Sequence, residues 1–128
     1  IGVIMNDLVT QTKDTSLTGL FYAISFQILG IIIAFMASSV NYAFLLFADT
    51  AGHEFALSVP ILATALFTIV WGDATLRSQI ANIKDASAAT KKTNAYKDVS
   101  AQPYVVLRLM NLGLAIALAT SQFTILLN

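Results

Sequence analysis

The stretch FYAISFQILGIIIAFMASSVN, residues 21–41, carries no charged side chain and lies within a longer uncharged run between Asp14 and Asp49. As a helix, that run would be about 50 Å long at about 1.5 Å per residue, which exceeds a hydrocarbon core of about 30 Å. Residues 55–72 and 109–128 are two further runs without a charge. The composition agrees: 57% of the 128 residues are hydrophobic and 11% are charged, against about 25% charged in a soluble domain. The mean hydropathy is +0.76. These features predict an all-α integral membrane protein with three transmembrane helices, at about 17–40, 55–72 and 104–126, forming one transmembrane helical domain over 1–128. Three spans leave no room for a separate soluble domain.

Local signals refine the boundaries. Ile1, Ile4 and Leu8 recur at helical spacing, as a short helix lying on the membrane surface would require. The opening IGVIMNDLVTQTKD lacks the basic-then-apolar order of a signal peptide, and Ile1 with Met5 close behind fits a processed, truncated or re-annotated start. Asp14, Thr15 and Ser16 are candidate N-caps for the first span. That span is too long for the bilayer, so it is expected to tilt, protrude or break near SSVN, residues 38–41. Asp49 and Gly52 end it, Gly52 suiting a left-handed backbone. Pro60 falls early in the second span, where it should bend the helix only modestly. Beyond Trp71, Leu76, Ile80 and Ile83 continue one helical face, and Asp73 stands four residues before Arg77 as a favourable pair. The second helix is therefore expected to extend into the inner aqueous phase, at least to Ile83. The residues that follow, ASAATKKTNAYKDVSAQP, read as its fraying end and a loop, and Pro103 opens the third span.

Basic residues set the orientation. The inner loop 73–102 holds Arg77, Lys84, Lys91, Lys92 and Lys97, whereas the turn DTAGHE, residues 49–54, has none. By the positive-inside rule the long loop and the N-terminus face the cytoplasm or its equivalent, and Asn128 lies outside. Tyr22, Trp71 and Tyr104 then fall near the inner interface and Tyr42 near the outer one.

Gln27 lies deep in the first apolar run and requires an explanation. Ala23, Gln27, Gly30, Ala34, Ala37 and Asn41 step by four, three, four, three and four, which places them on one narrow face. Ile24, Ile28, Ile32 and Phe35 fall opposite. In lipid, helices associate where small residues allow close approach and polar side chains pair. The third span answers with Asn111, Ala115, Ala119 and Gln122 on one face and Gly113, Ala117, Thr120 and Thr124 on the next. Gln27 and Asn111 lie at similar depth, so Gln27 is expected to bond to the third span or to a neighbouring chain. The second span offers Ser58, Ala65, Thr68 and Gly72. The third helix thus has one packing face more than a three-helix bundle uses. That face either docks another chain or is used only within the bundle.

Groups that could carry chemistry are sparse. His53, the one histidine, lies in the outer turn beside Glu54, as a solvated side chain or as an axial-ligand candidate for a haem or chlorophyll. Arg108 lies about 8 Å up the third helix, so its head can snorkel to the inner surface or bind an anionic lipid headgroup or a partner's carboxylate. The chain has no cysteine, which removes thiolate metal sites and disulfides. Its zero net charge offers no field for nucleic acid. Nucleophile triads, phosphate loops and paired carboxylates are absent from the sequence, so no enzyme activity and no particular cofactor is expected. Coupled transporters usually keep an ionisable group at mid-membrane depth, and here the deepest is Arg108. Two functions fit. One is a non-catalytic structural or accessory subunit of a larger membrane complex, with other integral membrane subunits and the lipid bilayer as partners. The other is a homo-oligomeric pore lined by Gln27, Ser38, Asn41, Ser121, Gln122 and Thr124.

Overall fold

The computed structural model describes residues 1–9 and 21–128. The element order is α1 (Gly2–Phe47), α2 (Glu54–Asp85), a single 3₁₀ turn (Thr90–Lys92), α3 (Asn94–Ser100) and α4 (Tyr104–Leu126). Among the described residues there is no strand, and three helical stretches are long and apolar enough to cross a membrane: Phe21–Phe47, Glu54–Asp85 and Tyr104–Leu126. The cap candidates Asp14, Thr15 and Ser16, and the expected start of the first span near Leu17, lie outside the described residues. Ile1, Ile4 and Leu8, expected as a docked stripe, are exposed.

No break occurs at SSVN. Ser39 returns its hydroxyl to the carbonyl of Phe35 at 2.8 Å, which keeps the turn locally satisfied, and α1 continues to Phe47. At 32 residues α2 is about 48 Å long, so roughly 18 Å of it can project beyond a bilayer core of about 30 Å. The C-terminal part of α2, with α3 folded back on it, lies beside α1 near Phe21: Phe21 and Ile24 share a small cavity with Gln79, Ile83, Tyr96 and Val99.

The connection at the other end is short and self-bonded. Gly52 has φ +80°, the one positive φ among the described residues, as its place after the helix end requires. Its N–H donates to Glu54 Oε1 at 3.0 Å, and the Ala51 N–H donates to Asp49 Oδ1 at 3.2 Å. Pro60 lies within α2, which runs unbroken through it, and Thr64 donates to the Pro60 carbonyl at 2.8 Å.

The segment expected to be a loop holds more structure than its composition implied. Thr93 caps α3, its hydroxyl accepting the Tyr96 N–H at 3.2 Å. The Tyr96 hydroxyl reaches the Ile83 carbonyl at 3.5 Å, and Tyr104 donates to the Val99 carbonyl at 2.9 Å. These ties secure α3 between the projecting end of α2 and the start of α4.

α2 is the central helix, packed on both α1 and α4, while α1 and α4 meet less extensively. Their apolar meeting point lies towards the turn that joins α1 to α2, where Leu45, Ile61 and Leu126 are buried together, with Leu57, Ala119 and Phe123 around them. In lipid such a cluster holds by close packing rather than by exclusion of water.

Candidate functional site

The buried face of α1 runs through Ile24, Ala34, Ser38 and Leu45, with Gln27, Gly30, Ile31 and Asn41 half-buried beside them. This is a slight rotation of the expected stripe. Ala34 is buried as expected, but Ala23 and Ala37 are exposed. Ile24, expected to face lipid, is buried and Phe35 is half-buried, whereas Ile28 and Ile32 are exposed. Ile24 lies beside the C-terminal part of α2 and α3, where it lines a cavity with Gln79, Ile83, Tyr96 and Val99.

On α4 the first expected face turns inward. Asn111, Ala115 and Gln122 are buried and Ala119 is half-buried. On α2, Thr68 and Gly72 are buried, and Ser58 and Ala65 are half-buried. Two polar nodes result. Near the C-terminal end of α4, Gln122 is fully buried and joins α4 to α1: its Oε1 accepts from Asn41 Nδ2 at 2.6 Å, and its Nε2 donates to Ser38 Oγ at 2.9 Å. A further contact from Nε2 to the Leu118 carbonyl at 3.2 Å completes its bonding. Nearer the N-terminal end of α4, Asn111 Nδ2 donates to the Thr68 carbonyl of α2 at 3.0 Å. Its amide lies over Gly72, where a Cβ would approach Asn111 Nδ2 to 2.5 Å and Oδ1 to 2.7 Å. A side chain at 72 would have to displace this amide from its bond to the Thr68 carbonyl.

The expected bond between Gln27 and the third span does not form. Gln27 Oε1 is buried without a partner, and Asn111 has turned to α2 instead. The reason is the central position of α2. At the neighbouring Gly30 the facing group is Trp71 of α2, whose Nε1 would lie 3.8 Å from an added Cβ. Trp71 is in turn stacked on Phe67, with ring centroids 5.7 Å apart. Depth matching alone could not reveal which of two neighbours a helix faces. Ser38, which completes the Gln122 node, was read from sequence as a possible pore residue rather than a packing one.

A charged cluster joins the C-terminal half of α2 to the first turns of α4. Asp73 pairs with Arg77 on its own helix at 2.9 Å, as the spacing predicted. It also accepts from Arg108 Nε at 2.6 Å. The carboxylate facing Arg108 thus belongs to the same chain, a pairing absent from the sequence expectations of a snorkelling head, a lipid headgroup or a partner's carboxylate. A signal for this was present: Asp73 and Arg108 lie on consecutive apolar helices, at the ends joined by the segment that holds α3.

The second face of α4 is uncovered. Gly113, Ala117, Thr120 and Thr124 are all exposed, in steps of four, three and four. His53 is exposed in the outer turn, and among the described residues no group of three His, Cys, Asp or Glu side chains could hold a metal ion. No protein-family model, curated protein or solved structure matches this chain.

Proposed function

We propose that the chain is a non-catalytic accessory subunit of a larger integral membrane complex, docked through the uncovered α4 face. The observation that carries this reading is the exposed stripe Gly113, Ala117, Thr120 and Thr124, left over after α4 has used its other face on α1 and α2. Small residues at this spacing let a second backbone approach closely, and hydroxyls can bond across the contact. The pore alternative loses much of its lining. Ser38, Asn41 and Gln122 are hydrogen-bonded to one another inside the bundle, which leaves mainly the hydroxyls of Ser121 and Thr124 on the outside. In this proposal the lysine-bearing segment and the N-terminus lie on the cytoplasmic or equivalent side.

The test is purification from native membrane in mild detergent, with mass spectrometry of the co-migrating chains, for the natural sequence and for Gly113→Leu. Larger subunits should accompany the natural chain and be lost from the variant, whose new side chain starts from an exposed position with nothing within 4 Å of its Cβ. Recovery of this polypeptide alone, as a symmetric ring that conducts ions in planar bilayers, would overturn the proposal in favour of the channel.

A further inference from the structure

An open groove of about 530 Å³ runs between α2 and α4 at their inner ends. This volume lies within the range of small-ligand sites, about 300–1,000 Å³. Its apolar lining includes Val70, Val105, Leu109 and Leu112, and its charged lining is Asp73, Arg77 and Arg108. Two cations and one anion leave the groove with a net charge of +1. The guanidiniums are held from one side only: Arg108 meets Asp73 Oδ1 and Arg77 meets Asp73 Oδ2, each through Nε. Among the described residues no acceptor bonds the terminal Nη groups of either arginine, and both side chains are accessible, at 64% exposed for Arg77 and 38% for Arg108.

We infer that this groove binds the headgroup phosphate of an anionic membrane phospholipid. Planar guanidinium groups with unfilled N–H donors match phosphate oxygens, and Asp73 acts as a positioning residue that keeps both arginines at the groove. A zwitterionic lipid is the poorer occupant. The positive end of its headgroup would add a third cation to a groove whose one carboxylate already has an arginine on each oxygen. A soluble phosphate is also disfavoured, because Val105 and Leu109 are exposed beside the arginines on a membrane-spanning helix, where an acyl chain can cover them. The surroundings add to the preference: residues 73–108 hold six Lys or Arg against Asp73, Asp85 and Asp98, a net charge of +3 (6 − 3). The inference is independent of the partner that covers the rest of α4.

The experiment reconstitutes the full chain in bilayer nanodiscs containing equal parts of phosphatidylcholine and phosphatidylglycerol, then counts retained lipids by native mass spectrometry. One phosphatidylglycerol should be retained over phosphatidylcholine, by about fivefold for each arginine engaged. Arg77→Gln, on an exposed side chain, should lower the preference about fivefold without unfolding the bundle. Arg108→Lys keeps a cation beside Asp73 while removing the fork, and it should also reduce retention. Equal retention of the two lipids by the natural chain overturns the inference, as does a preference unchanged in both variants. Displacement of the lipid by excess inorganic phosphate or glycerol 3-phosphate would overturn the assignment to a lipid.

Discussion

Gln122→Leu is the most direct test of what holds α1 to α4. Gln122 is fully buried, and leucine has a similar volume, so the substitution removes hydrogen bonds while largely preserving the packing. Two of its bonds cross between helices, from Asn41 and to Ser38. Interhelical hydrogen bonds in membranes average about 0.6 kcal/mol and reach about 1.7. Two of them give a loss of about 1.2 to 3.4 kcal/mol. The bond to the Leu118 carbonyl is left out because it is local to α4 and can form in the separated helix as well. The value belongs near the upper half of the range if Asn41, half-buried, cannot find another acceptor. The measurement is reversible unfolding in mixed micelles, followed by fluorescence of Trp71, the single tryptophan. A double-mutant cycle with Asn41→Leu should return a coupling of about 0.6 to 1.7 kcal/mol. A loss or coupling below about 0.3 kcal/mol, the usual error of additivity, would refute the claim that this node joins the helices.

Two further outcomes follow from the same geometry. Gly72→Ala should destabilise the bundle by about 1 to 3 kcal/mol, the usual cost of overpacking, because the new methyl meets the Asn111 amide; combining it with Asn111→Ala should recover part of the loss, and strict additivity of the two would count against the contact. Cysteines introduced at Ser87 and Thr50 should be labelled by an impermeant reagent from opposite sides of the membrane, since α2 lies between them; labelling of both from one side would reject the spanning arrangement.

Much of the fold was legible because lipid imposes a severe rule on the chain. Backbone groups in hydrocarbon must be bonded within the segment, so an uncharged run of more than about 20 residues has few alternatives to a helix. From that rule came the three apolar helices, while the continuing apolar face carried α2 past Ile83 to Asp85 and the conformational freedom of Gly52 marked the turn. The Asp73–Arg77 pair was equally readable, since four residues along a helix always fall on the same side. The face of α4 containing Asn111, Ala115 and Gln122 was legible as well, because polar and small residues stand out against an apolar background. Tertiary structure alone decided which polar group meets which. Gln27, Asn111, Asn41 and Gln122 are all capable of pairing across helices, and their choice depends on the rotation of each helix and on which helix lies at the centre. Neither is written in the period of a single segment. Placing α2 between the others gave Asn111 to the Thr68 carbonyl, left Gln27 Oε1 unpaired and brought Ser38 into the Gln122 node. The same placement brought Arg108 to Asp73, a separation of 35 residues that only the antiparallel packing of α2 and α4 could close.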